Sequence, residues 1–206
     1  MRRSSLAGIG AIAFAVLTFV AVIIEHSPGG NYKTSNVEKF LKHGHRPVIF
    51  VATYMVYLGV VGLVFLLTRL RDSINDPTRS NAFWTLSVAG IGAWVAGWAV
   101  GAAVPVAMGV GGKGVVVAPT VTYVLALAGY FTFASGAILI GLALLLLVLS
   151  RPVLPGWVRW ATLVGAAGAI LAPAFFPFGL FFIWALVIGI WLLAADRSPA
   201  AASAAS

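Results

Sequence analysis

The placement of charge constrains this chain most strongly. All thirteen basic and five acidic residues fall between or at the ends of six long apolar runs. The hydrocarbon core of a bilayer is about 30 Å thick, so a crossing helix needs roughly 20 apolar residues. Hydrophobic residues make up 61% of the chain and charged residues only 9%, against roughly 25% charged in soluble domains. The sequence therefore predicts an all-α, polytopic membrane helix bundle.

Six transmembrane helices are predicted, and together they form one transmembrane domain over residues 1–206. The fourth run is long for a crossing helix and the fifth is short. The fifth and sixth are separated only by an apolar link from Pro173 to Pro177, so they are expected to form a tight antiparallel pair. The predicted spans are 6–24, 47–68, 82–104, 119–150, 157–172 and 178–195.

The basic residues also predict an orientation, because cytoplasmic loops are enriched in lysine and arginine. With the N-terminus inside, eight basic residues lie in inner segments and five in outer segments. Trp84, Trp157 and Trp160 then lie at the inner boundary, where amphipathic rings are expected. Both termini are therefore predicted to be cytoplasmic, in a bacterial cytoplasmic membrane. A signal peptide is the weaker interpretation of the first run, which is longer than a typical h-region of about 7–15 residues.

The first outer loop contains a Ser-x-x-Glu capping box from Ser35 to Glu38, followed by apolar residues at helical intervals. This pattern predicts a short amphipathic helix on the outer surface. His43 and His45 come next, and their spacing fits either a metal site or a solvated interfacial pair. The solvated pair is preferred because no suitable third ligand lies close in sequence. No metal is expected.

Several motifs resemble an uncharacterised bacterial membrane family. These are the Val-Glu-x-Phe-Leu segment at 37–41, His43 and Arg46 after it, and the Leu-Leu-Thr-Arg-Leu-Arg end of the second run. The Leu-Pro-Gly-Trp-Val-Arg-Trp segment at 154–160 is also similar. The family has six helices, is frequent in actinobacteria and is known only as a domain of unknown function. The resemblance implies the six-helix fold and no particular activity.

The sequence predicts no catalytic residues and no cofactor. Catalysis needs a nucleophile, an acid or base, or a cofactor placed together, and no pair of acidic residues falls inside a predicted span. The glycine-rich segment at 109–114 lacks the Lys-Ser/Thr ending of a phosphate-binding loop. Nucleic acid is not an expected partner, because the basic residues lie on both sides and no binding motif accompanies them. The chain is thus not expected to be an enzyme.

Small residues predict where helices approach closely. Gly97 and Gly101 form a GxxxG pair in the third span, and Gly129 and Gly136 lie on one face of the fourth. Such residues let helix backbones meet in a membrane. Packing within one chain is favoured over packing between protomers.

Aromatic residues provide the one predicted ligand site. Tyr57, Trp94, Trp98 and Tyr130 fall in the outer half or near the midplane, where they would line a cavity for a lipophilic molecule. The competing interpretation places these rings in the bundle core or against lipid, and it is preferred.

Two functions remain open from the sequence. The first is a non-enzymatic accessory or assembly subunit of the cell envelope, whose partners are the lipid bilayer and another membrane protein. The alternative is a binder or carrier of a lipophilic small molecule or lipid. An ion-coupled transporter is weaker, because no carboxylate lies within a span.

Overall fold

The computed structural model describes residues 3–25, 46–110, 118–150, 154–174 and 176–196. Within these ranges every regular element is helical and no strand occurs, so the predicted all-α class is confirmed. Two short 3₁₀ turns, Ala172–Ala174 and Phe176–Phe178, connect the last two helices. The α-helices are α1 (Arg3–Glu25), α2 (Arg46–Arg71), α3 (Pro77–Val110), α4 (Pro119–Leu149), α5 (Gly156–Ile170) and α6 (Gly179–Asp196).

A helix is found at each of the six apolar runs, and α3 differs most from its predicted bounds. It covers Pro77–Val110 where the sequence suggested 82–104. Its early start has a clear cause, since a carboxylate oxygen of Asp76 accepts hydrogen bonds from the backbone N–H groups of Thr78 (2.9 Å) and Arg79 (3.3 Å). Pro77 suits the first helical position. The predicted surface helix after Ser35 and the histidine pair lie outside the described residues.

Among the described residues, four helices are long and apolar enough to cross a membrane, by length and composition. The segment Gly179–Ala195 is also apolar but shorter, and α5 has only 15 residues. The protein is therefore a helical bundle with four candidate membrane spans. These spans are Ser5–Glu25, Val48–Arg71, Pro77–Ala102 and Thr120–Leu149.

The helices form a closed ring. Each packs on its neighbours along the chain, and α6 returns to pack on α1. The pairs α1/α2 and α3/α4 are in the most extensive contact, while α2/α3 and α5/α6 touch less. A ring of this kind leaves a central space that side chains must fill, because protein interiors are close-packed.

Aromatic side chains fill the centre of the ring. Trp94 of α3 lies 5.5 Å from Phe14 of α1, 4.4 Å from Phe133 of α4 and 5.4 Å from Phe178, measured between ring centroids. Phe181 of α6 completes the group at 5.6 Å from Phe14. We call these five residues the aromatic core. Aromatic pairs at such distances add stability beyond the area they bury.

The turn between α5 and α6 lies partway along α4 and is held there by Tyr130. The hydroxyl of Tyr130 donates to the backbone carbonyls of Ala172 (3.2 Å) and Pro173 (2.9 Å). Tyr130 comes eleven residues after the start of α4 at Pro119, or about 16 Å along the helix at 1.5 Å per residue. The turn thus ends well short of the first residue of α4. Tyr130 therefore ties this turn to the first half of α4.

Candidate functional site

Trp94 is the most enclosed of the four aromatic residues suggested as ligand-binding. Its side chain is 0% exposed, at the centre of the aromatic core. Its backbone is also closely approached, since a Cβ atom placed on Gly136 of α4 would lie 2.5 Å from the Trp94 amide nitrogen. Its ring contacts Phe14 of α1, Phe133 of α4 and Phe178 of the α5–α6 connection.

The indole nitrogen of Trp94 has an unusual position. Nε1 is buried and finds no hydrogen-bond acceptor among the described residues. The hydroxyl of Thr18 on α1 is likewise buried without a described partner. A buried donor without an acceptor costs about 1–3 kcal/mol, so Trp94 offers a polar contact that the surrounding protein does not use.

The other three aromatic residues do not join Trp94 in one group. Trp98 is half-buried, and its ring centroid lies 6.3 Å from Phe133, which it shares as a neighbour with Trp94. Tyr57, on α2, is partly buried and packs against the apolar core. Tyr130 holds the α5–α6 turn. Among the described residues, the ring pairs of Trp94 and Trp98 are with phenylalanines. The role of these four residues in ligand binding stays a prediction.

Three of the four suggested packing glycines lie directly between α3 and α4. A Cβ atom on Gly129 would lie 2.6 Å from the carbonyl oxygen of Gly97 and 2.6 Å from the amide nitrogen of Gly101. A Cβ atom on Gly97 would collide with the amide nitrogen of Phe133. Gly136 faces Gly90, whose carbonyl oxygen would lie 2.5 Å from an added Cβ. The two backbones therefore touch.

Gly101 contributes its backbone, and not the space of a missing side chain, to the contact between α3 and α4. A Cβ atom added to Gly101 itself would meet nothing within 4 Å. Its backbone, however, is what an added Cβ on Gly129 would strike. The GxxxG pair thus has one glycine whose missing side chain makes room and one that is only approached by its neighbour.

Glycine contacts also join helices that the sequence analysis did not pair. A Cβ atom on Gly10 of α1 would lie 2.6 Å from the carbonyl oxygen of Gly62 on α2. A Cβ atom on Gly8 would lie 2.9 Å from the carbonyl oxygen of Gly189 on α6. These glycines do not form four-residue pairs within one helix, so a search for GxxxG misses them. The glycines in the first, second and sixth runs were the available signal.

The outward face of α3 carries small residues along its length, with one larger apolar side chain, Val88 (49% exposed), among them. This face, which we call the α3 small face, lies on the outside of the ring, and all its side chains are exposed. A Cβ atom on Gly92, at its middle, would meet nothing within 4 Å. The α3 span is also the least apolar and the least buried of the four candidate spans. The residues of the α3 small face are Thr85, Ala89, Gly92, Ala96 and Ala99.

The charged loop between α2 and α3 is internally paired. Arg71 donates to the Ser80 hydroxyl and the Asn81 side-chain oxygen, both at 3.1 Å, and lies 5.5 Å over the ring of Trp84. Arg79 pairs with Asp76 at 3.4 Å and donates to the carbonyl of Leu149 at 3.3 Å. These side chains join the ends of α2, α3 and α4, which gives them a structural role.

No family model, curated protein or solved structure matches this chain. Its architecture and surface place it among the helical proteins with several candidate membrane spans. The resemblance to an actinobacterial six-helix family stays a prediction.

Proposed function

We propose that the protein is a non-enzymatic multi-pass subunit of the bacterial cytoplasmic membrane, and that it binds a helix of another membrane protein through the α3 small face. The observation behind this proposal is a mismatch between the composition of α3 and its exposure. The candidate span least suited to lipid, α3, is also the one least covered by the rest of the chain. A partner helix over this face would remove the mismatch.

Small residues favour such a contact physically. Helices in a membrane gain little from the hydrophobic effect when they associate, so close van der Waals packing decides where they meet, and small side chains allow the backbones to approach. The outward face of α2 is of the opposite kind. Val51, Leu58 and Val61 are 53%, 62% and 53% exposed and present bulky apolar groups suited to lipid. The α3 small face thus differs from the surface beside it.

Replacing Gly92 by leucine is expected to abolish partner binding while leaving the fold intact. The added side chain has free space in the single chain but would stand between α3 and an approaching helix. The measurement is co-purification of partner proteins in a gentle detergent, with elution volume as a check on the fold.

Ala167→Leu is the matched control, since Ala167 is a small exposed residue on α5. It should retain every partner of the unmodified protein. Equal partner recovery from Gly92→Leu and the unmodified protein would contradict the proposed docking face. A complex made only of copies of this chain would replace the hetero-subunit proposal by a homo-oligomer.

The proposed arrangement has six membrane-inserted helices with both termini cytoplasmic. Eight basic residues on one side and five on the other support it. The α5–α6 pair would then enter from the cytoplasmic side and turn within the membrane, where Tyr130 bonds to its turn.

A reporter that is active only in the cytoplasm tests this arrangement. Fused after Ser206, the reporter is expected to be active, and inserted at Gly112 it is expected to be silent. Activity at Gly112 together with silence at Ser206 would reverse the orientation.

The second candidate function is a carrier of a lipophilic molecule. The unpaired, buried Nε1 of Trp94 favours it, because one indole N–H can orient an apolar guest that has a single carbonyl or hydroxyl. Gentle-detergent purification separates the two candidates. Defined protein partners favour the subunit, and a stoichiometric lipid or pigment favours the carrier.

A further inference from the structure

A cleft opens at the end of the bundle where α4 finishes and α5 begins. Its volume is about 220 Å³, and its walls are mostly apolar. One cationic side chain, Arg159 at the end of the first turn of α5, forms part of the wall. The lining residues are Val148, Gly156, Arg159, Trp160 and Leu163.

Arg159 differs from the arginines of the neighbouring loop. Arg71 and Arg79 each have described side-chain partners. The Nε atom of Arg159 is buried and has no acceptor, and the side chain forms no ion pair within the described ranges. A cation beside apolar walls is costly to leave uncompensated. An anion at the cleft would lower that cost.

Two exposed tryptophan residues indicate where this cleft lies relative to the lipid headgroups. Trp160 is 71% exposed and Trp157 is 49% exposed on the outside of α5. Trp157 also makes an edge contact with Trp191 of α6, at 6.0 Å between centroids. Exposed tryptophans on membrane helices concentrate at the level of the lipid headgroups. Arg159 therefore lies at a depth where lipid phosphates are found.

We propose that this cleft binds one anionic phospholipid. The phosphate would lie against the Arg159 guanidinium, and an acyl chain would lie along Val148 and Leu163. Gly156 adds room for the headgroup, because a Cβ atom there would meet nothing within 4 Å. Arginine is well suited to phosphate, which it can bind through two parallel hydrogen bonds. This inference is independent of the partner helix proposed for α3.

Lipid retention measures the proposed site directly. The detergent-purified full chain is incubated with equal amounts of phosphatidylglycerol and phosphatidylcholine, and bound lipids are counted by native mass spectrometry. One phosphatidylglycerol per chain is expected to be retained in preference to phosphatidylcholine. Arg159→Gln should lower its retention about tenfold, the size expected for losing a hydrogen bond to a charged group. Arg159→Lys, which keeps the charge, should retain most of it.

Arg69→Gln is the matched control. It removes one positive charge from the same end of the bundle without touching the cleft, so it should retain phosphatidylglycerol as the unmodified chain does. Equal retention of the two lipids by the unmodified chain would overturn the proposal, whatever the variants do. So would stabilisation by inorganic phosphate equal to that by phosphatidylglycerol, because the site would then bind a free anion and not a lipid.

Discussion

Replacing Gly97 by leucine is expected to prevent α3 and α4 from packing at their present distance. Even the first added carbon would collide with the backbone nitrogen of Phe133. A backbone cannot rotate away as a side chain can, so one of the helices has to shift. Overpacking usually costs about 1–3 kcal/mol and occasionally more, and a backbone contact belongs at the upper end. We expect a loss of about 3 kcal/mol or more in the free energy of unfolding.

The comparison with Gly92→Leu makes this test specific. Gly92 lies on the same helix five positions earlier, and its Cβ would meet open space. Both variants add the same side chain to α3, so they change helix propensity equally. Thermal unfolding in detergent should show a large loss for Gly97→Leu and little change for Gly92→Leu. Equal losses would mean that Gly97 does not lie at a close interface.

The helix positions could be predicted because charged and polar residues mark the ends of the apolar runs. Apolar runs bounded by charge placed five of the six helices within three residues of their observed bounds. The start of α3 was missed although its signal was present. Asp76 followed by Pro77 is a typical helix start, but the predicted span begins only at residue 82, with the apolar run. The capping bonds show that Asp76, a charged loop residue, also starts the helix.

The closure of the ring could not be predicted in the same way. It depends on contacts such as that between Gly8 and Gly189, which are far apart in sequence. The sequence shows which small residues share one face of a helix. It does not show which other helix packs against that face. For this reason Gly97 and Gly101 were recognised as a pair, while the partners of Gly8 and Gly10 were not.

The aromatic residues show the same limit. Spacing along α3 puts Trp94 and Trp98 on nearby faces, yet rotation of the helix gives them different surroundings. Trp94 is 0% exposed in the aromatic core, whereas Trp98 remains half-buried beside Phe133. Tyr130 is used by the α5–α6 turn, whose depth follows from the shortness of α5 and from the prolines that end it.

Replacing Trp94 by alanine is expected to produce the other large loss of stability. The substitution removes the ring that contacts Phe14, Phe133 and Phe178 at once. Truncating a buried aromatic residue to alanine typically costs about 3–5 kcal/mol, and the cost grows with the cavity left behind. Three elements besides α3 border this cavity, so its walls cannot collapse by moving one helix. Trp98→Ala should cost clearly less, because its ring is only half-buried.

Trp94→Phe separates packing from polar contact at the same position. It keeps an aromatic ring and removes the N–H group that is buried without an acceptor. Removing this unpaired N–H group relieves about 1–3 kcal/mol, which offsets part of the cost of the lost volume. The free energy of unfolding should therefore change far less than for Trp94→Ala. Unfolding in detergent and analysis of co-purified lipids measure both effects. A loss in Trp94→Phe as large as in Trp94→Ala, together with loss of a co-purified lipophilic molecule, would show that the indole N–H binds a guest and would favour the carrier over the subunit.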